Sequence, residues 1–227
     1  MGKLGIVVGM LSEARIAQRA GCAVAVGGGG PLGARRMAER LVADGARMLV
    51  SFGLAAGLDP AIPAGTALLP KAVLCRDRLH PCDPDMLSPL HGAGEPVDLI
   101  LAGDRIIATA REKARLWQET GAAALDLESG MVAEVAEAEG VPFAVVRAVC
   151  DPAGRDLPRA AVEALNESGG INSRAMALNL LRRPRDIFGL IMLGRDAARA
   201  RRALIRGAES LGAFAAGDAH LRRGLGL

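Results

Sequence analysis

The sequence predicts a single α/β domain with a central, mostly parallel mixed sheet flanked by helices. Three observations predict it. Short apolar runs of strand length alternate with helix-length segments along most of the chain. Several runs end in an acidic or glycine-rich turn, as strands feeding a ligand site do. Of the 227 residues, 51% are hydrophobic, enough to bury a substantial core in one domain.

In chain order, "LGIVV" (4–8) reads as a strand and "SEARIAQRA" (12–20) as a helix with Ser12 as its cap. "CAVAV" (22–26) is the second strand, followed by "GGGGPLGARRMAERLVADGA", a glycine turn leading into a helix. "RMLVSFG" (47–53) is a third strand, ending in the small-residue loop "LAAGLDPAIPAG". "TALLPKAVL" (66–74) is extended and interrupted by Pro70. Residues 76–96, with Pro81, Pro84, Pro89 and Pro96, read as a long irregular loop of the kind that forms lids or binding segments. "VDLILAG" (97–103) is a strand and "ATAREKARLWQETG" a helix. "AALDLESGMVAEVAEAEGVPFAVVRAVCDP" (123–152) is strand, helix, strand, and places Asp126, Glu128 and Asp151 where its strands end. In sheets of this kind ligands sit beyond the carboxyl ends of the strands.

From Asp186 to Leu211 a helical stripe of Leu190, Leu193, Ala197, Ala200, Leu204 and Leu211 lies beside a face carrying Arg195, Arg199, Arg202 and Arg206. Residues 182–227 are read as a basic amphipathic tail attached to the domain. They carry ten Arg against four acids, a balance of +6, whereas the whole chain is only +3. Such a tail fits either an anionic membrane surface or a helix docked on its own domain with a solvated Arg face. Aromatic residues make up 2% of the chain, which disfavours a nucleic-acid platform. No apolar run is of membrane-span length and no signal peptide is evident, so a cytoplasmic protein is expected, with the tail at the inner membrane face as the variant of that reading.

The four cysteines form no C-x-x-C pair. "CRDRLHPCDPD" brings Cys75, His80, Cys82 and Asp83 together, but its spacing matches no common zinc pattern, and a Pro-rich loop with incidental thiols is preferred to a metal site. Gly28, Gly30 and Gly33 spell G-x-G-x-x-G between a strand and a helix. The acid that a dinucleotide fold needs at the next strand tip is missing, as is a Walker lysine. A backbone cradle for an anion and a simple tight turn both remain open. The three His occupy no strand end, so acid–base chemistry falls to carboxylates, with Glu13 beyond the first strand joining those above.

Four segments carry a family likeness: "GIVVGMLSEA", "VGGGGPLGARRMAERLVADGARMLVSFGLAAGLDPAIPAGT", "LILAGDRII" and "LDLESGMVAEVAEAEGVPFAVVRAVCD". By their order and spacing the chain resembles the nucleoside phosphorylase and nucleosidase superfamily over residues 4–181. The tail segment "LLRRPRDIFGLIMLGRDAARARRAL" is most similar to that of the hopanoid-associated phosphorylases, which remove adenine from adenosylhopane. The resemblance implies a domain over 1–181 cleaving the N-ribosidic bond of a 5′-substituted adenosine, with no cofactor beyond inorganic phosphate as a co-substrate and a homodimer or larger homo-oligomer as the assembly. It implies Asp151 as the acid at purine N7, Glu13 as the group positioning the nucleophile, and Glu128 at the ribose hydroxyls above Leu127. Gly53, Leu54, Ile106 and Ile107 would line the substrate, and Gly30, Ser51 and Arg15 would meet phosphate.

The departures bear on the nucleophile. Ser51 stands where many phosphorylases have a phosphate-binding Arg, Leu54 where a Ser or Thr is usual, and Ile106 where thioadenosine nucleosidases have an aromatic. The resemblance makes adenosylhopane the favoured substrate and phosphorolysis the favoured reaction, with hydrolysis as the alternative because Glu13 speaks for water. The rival readings are a methylthioadenosine/adenosylhomocysteine nucleosidase, a general purine nucleoside phosphorylase, and a non-catalytic nucleotide-binding module.

Overall fold

The computed structural model describes residues 3–164 and 186–225. In it β1 (Lys3–Val8), α1 (Leu11–Ala17), β2 (Ala23–Val26), α2 (Pro31–Ala43), β3 (Ala46–Gly57), β4 (Ala67–Cys75), β5 (Arg78–Pro81) and α3 (Pro84–Leu87) are followed by β6 (Glu95–Ala102) and α4 (Ala110–Thr120). Then come β7 (Ala124–Asp126), α5 (Ser129–Ala138), β8 (Phe143–Asp151), α6 (Arg159–Ala164) and a long helix, α7 (Asp186–Leu225). The expected domain boundary after residue 181 lies outside the described residues.

The strands form one sheet in the order β2-β1-β3-β7-β6-β4-β5, and β8 pairs with both β3 and β4. The ring β3–β8–β4–β6–β7 therefore closes within the sheet. Five of the eight pairings are parallel, which makes the sheet mixed and mostly parallel as expected. Alternation along the central strands feeds two cores. Val7, Leu49, Val145 and Val149 pack with α2 and α5 on one face. Ile6, Val8, Val50, Phe52 and Val146 pack with α1 and α7 on the other. Burial on both faces explains why the strands are apolar throughout.

Three local expectations are corrected. Ser12 does not cap α1: the helix begins at Leu11, and Glu13 reaches back to accept from the Met10 N–H at 2.9 Å. β3 does not stop at Gly53 but runs to Gly57, because its small residues pair with β8 as far as Asp151 and then with β7. Nor is 76–96 an irregular loop. It forms β5, paired antiparallel with β4, then α3 capped by Asp83, and Met86 and Leu90 enter the core beneath α7.

From Asp186 to Leu225 the basic tail is a helix, and the later part of its stripe is packed against the domain. Ala200, Leu204 and Leu211 are fully buried, with the helix lying along β8. Its small residues permit this closeness, since a Cβ at Gly207 would stand 3.0 Å from Val146. Arg195, Arg199, Arg202 and Arg206 are exposed. No helix among the described residues is long and apolar enough to cross a membrane.

The glycine turn divides its labour. Gly28 has φ +83, a conformation glycine adopts without strain. A Cβ on Gly33 would lie 1.6 Å from the Gly27 carbonyl oxygen, so α2 packs onto the end of β2 only with glycine there. Gly30 is extended, at φ −155, and a Cβ there would meet open space. We expect Gly33→Ala to lower stability by about 1–3 kcal/mol or more. Gly30→Ala should cost under about 1 kcal/mol, the loss of a glycine N-cap. Urea unfolding midpoints of the two variants check the contrast.

Candidate active site

The carboxyl ends of β1, β7 and β8, with the residues just after them, bring Glu13, Asp126, Glu128 and Asp151 to one place. The centre is Arg147, in the middle of β8 and fully buried. Its Nε lies 3.0 Å from Asp126 Oδ2 and its Nη2 3.1 Å from Glu128 Oε2. Nη2 also donates to Ser51 Oγ at 2.7 Å, and Nη1 to the Leu54 carbonyl at 3.4 Å. Burial alone would lower its pKa, but Asp126, Glu128 and Glu13 outweigh burial and hold it charged.

Asp126, at the tip of β7, is structural. Its Oδ1 accepts from the N–H groups of Glu128 and Ser129, at 2.8 and 2.7 Å, and so starts α5. Glu128 is left facing the cleft, and its pKa is pushed up to about 7. Burial is the main cause, Arg147 opposes it, and Asp126 and Glu13 add to it. Glu13 is buried in the first turn of α1. Its Oε2 accepts from Gly9 N–H at 3.0 Å and from Met10 N–H, and its Oε1 accepts from Leu54 N–H at 2.8 Å. Burial raises its pKa, against the opposing pull of Arg147 and these three donors. Gly53 makes room for the arrangement, since a Cβ there would stand 2.6 Å from Arg147 Nη1 and 2.7 Å from Glu13 Oε1.

Asp151 ends β8 on the other side of the cleft, with its pKa raised by burial and pulled back by Lys113, whose Nζ is 2.7 Å from Oδ2. The cleft holds about 250 Å³ and is walled by Glu13, Glu128 and Asp151 together with Leu54, Leu127, Ile106 and Ile107, all expected from the sequence. Leu193 of α7 and Cys150 are also part of the wall, the thiol pushed up to about 12 by burial.

Three expected phosphate contacts lie elsewhere. Ser51 is wholly buried behind the wall, where it accepts from Arg147 and Ser129. Arg15 is exposed on α1 and is not part of the wall. Gly30 also stands outside the wall, where its neighbour Gly29 takes the place. Arg35 pairs with Glu134, and Arg36 is exposed on α2. In the Cys-His-Cys stretch, His80 Nδ1 lies 3.0 Å from Glu137 Oε2, Cys75 Sγ 3.9 Å from Glu134, and Asp83 caps α3.

Two functional neighbours were missed. Arg147 carried a signal, being the one charged residue in the apolar run 141–150, where a lone charge demands a partner. Lys113 carried a weaker one, its spacing of three and four to Leu116 and Trp117 on the inward side of α4.

A mixed α/β sheet whose strand tips hold carboxylates around a small apolar cleft defines a small-molecule site that works with acids and backbone donors. The chain belongs to the phosphorylase superfamily, whose family model matches residues 6–182. It is 28% identical to the 5′-methylthioadenosine/S-adenosylhomocysteine nucleosidase of Mycobacterium tuberculosis over 163 aligned positions, covering 51% of this chain and 64% of that one. It is 30% identical to the nucleosidase of the same description from Pseudoalteromonas translucida over 135 positions, 59% of this chain and 54% of that one. The chain thus spans less than two thirds of the length of these curated relatives. Among solved structures, the Neisseria meningitidis nucleosidase bound to methylthio-immucillin-A superposes with a TM-score of 0.67 at 16% identity, covering 92% of this chain and all of that one. Futalosine hydrolase of Helicobacter pylori superposes with a TM-score of 0.65 at 15% identity, over 92% of this chain and 97% of that one. At these identities the superpositions establish the fold.

Arg147→Met should leave Asp126, Glu128 and Glu13 without their shared counter-charge. We expect a loss of about 3–5 kcal/mol, the usual result of removing one partner of a buried pair. A urea midpoint unchanged from wild type would contradict this account of the site.

Proposed function

We propose that this protein hydrolyses the N-ribosidic bond of a 5′-substituted adenosine and releases adenine. The observation that carries the reading is one cleft walled by Glu13, Glu128 and Asp151, each with a raised pKa and each held by a different element. Breaking an N-glycoside builds positive charge on the sugar and negative charge on the leaving base. Asp151 would deliver a proton to adenine N7, Glu128 would accept from the ribose hydroxyls, and Glu13, fixed by three backbone N–H groups, would orient and deprotonate water. Asp126 and Arg147 keep this set aligned.

Water is favoured over the phosphate nucleophile that the subfamily likeness implied. The cleft wall contains no lysine or arginine among the described residues, Arg147 is spent on carboxylates, and Ser51 is sealed off. A phosphate dianion beside Glu13 and Glu128 would meet like charge. The curated relatives are described as nucleosidases for 5′-methylthioadenosine and S-adenosylhomocysteine, which supports hydrolysis of that substrate class.

Adenosylhopane stands as the second reading because of one feature. Leu193 and Ile106 give the cleft an aliphatic edge, and on the helix of Leu193 the neighbouring Ile187, Phe188, Ile191 and Met192 are exposed. A long apolar 5′ substituent could follow that surface, and the exposed Arg residues farther along α7 suit peripheral contact with an anionic leaflet.

Incubation with 5′-methylthioadenosine, S-adenosylhomocysteine and adenosylhopane, with and without phosphate, should release adenine and a free ribosyl product without dependence on phosphate. A phosphorylated sugar would overturn the hydrolytic reading, and absence of adenine release from all three would leave a binding module. Asp151→Asn should reduce kcat by about 10²–10⁴-fold with the fold intact. Activity should fall at acid pH as Glu13 takes up a proton, and at alkaline pH as Asp151 loses its own. Both limbs should stand above the ordinary carboxylate range, and a kcat unresponsive to pH would remove both residues from proton transfer.

A further inference from the structure

Lys113 is fully buried, in a helix whose neighbouring Arg111, Ala114 and Arg115 are exposed. An ammonium carries three donors, and here two have carbonyl acceptors while a carboxylate stands beside the third. Nζ donates to the carbonyls of Pro152 at 3.1 Å and Arg155 at 2.9 Å, and stands 2.7 Å from Asp151 Oδ2. The last contact is an ion pair, and it takes up an oxygen withdrawn from solvent. A buried cation is costly unless paired, so packing alone does not explain a lysine here. On the assignment of Asp151 as the acid, we propose that Lys113 is the positioning residue for that acid, tying one carboxyl oxygen and the turn after β8 to α4 so that the other oxygen meets the purine.

Asp151 has few other charged neighbours. Arg155 follows it on the same turn and pairs with Asp196 of α7, which also takes Arg199 at 3.0 Å. Asp196 adds negative charge near the acid, and Arg155 and Lys113 oppose it. Cys150 is adjacent with its thiol uncharged, and Glu13 lies across the cleft on α1. Lys113 is the strongest of the influences that stabilise the ionised form of Asp151. Removing it shifts the carboxyl towards its protonated form, and the alkaline limb of kcat moves to higher pH.

The test compares pH profiles of 5′-methylthioadenosine hydrolysis by wild type, Lys113→Met and Lys113→Arg, with Asp151→Asn as reference. Lys113→Met should lower kcat at least ~10-fold with a smaller change in KM, because a misdirected acid fails in the transition state. Its alkaline limb should rise by about one pH unit or more. Lys113→Arg keeps the charge and should return the limb towards the wild-type position. Where Lys113→Met does not fold, Lys113→Gln retains a donor for the two carbonyls and should show the same limb shift. A limb unmoved in the neutral variant, while Asp151→Asn has lost turnover, would reduce Lys113 to a brace for the turn. Wild-type turnover in Asp151→Asn would instead remove the acid itself, and the two failures are separate results.

Discussion

The site depends on one buried cation. Arg147 is placed by strand pairing in the centre of β8, where it cannot reach water, and it is stable there only because Asp126 and Glu128 lie within about 3 Å. The dependence runs both ways. Burial and the nearby Glu13 push the Glu128 pKa up, burial pushes that of Glu13 up, and the guanidinium pulls both back. Asp126 completes the logic by using one oxygen on Arg147 and the other on the first N–H groups of α5. The start of α5 and the orientation of Glu128 are therefore set by the same charge.

Glycine serves this interaction more directly than it serves a phosphate. Gly53 and Gly9 are the positions where a Cβ would strike the charged groups, at 2.6 Å from Arg147 and from Glu128 respectively. Gly33 is consumed by the approach of α2 to β2. Of the glycines in the sequence fingerprint, Gly30 alone has both an ordinary backbone conformation and open space, yet it is Gly29 that reaches the cleft. The pattern resembled a cofactor loop because both structures need a close turn from strand to helix.

What was legible in the sequence follows from where chemistry overrides local propensity. Glu13, Glu128 and Asp151 could be read because acids at the tips of apolar strands have no ordinary surface role. The length of β3 could not, because "LAAG" has the composition of a loop and becomes strand only through its partners β8 and β7. Residues 76–96 were misread for the same reason, with prolines that prevent a regular interior but suit the start of α3 and the end of an edge strand. Ser51 was misread in the opposite sense, since a hydroxyl on a strand can point inward as well as out, and here it accepts from Arg147.

The terminal helix shows how far a site can extend beyond the residues that mark it. Its abundance of Ala and Gly looked weak for an anchor, yet that smallness lets α7 lie against β8, the strand that carries both Arg147 and Asp151. From that position it contributes Leu193 to the cleft and Asp196 to Arg155, on the turn that Lys113 holds from the other side. Asp151 thus stands between the buried Lys113 of α4 and the half-buried Arg155–Asp196 pair that reaches from α7, and neither helix bears the four segments that carry the superfamily likeness. On the proposed reaction, a relative that kept the strand-tip carboxylates but changed these two helices would alter the pH at which the Asp151 position works and the 5′ group its cleft admits.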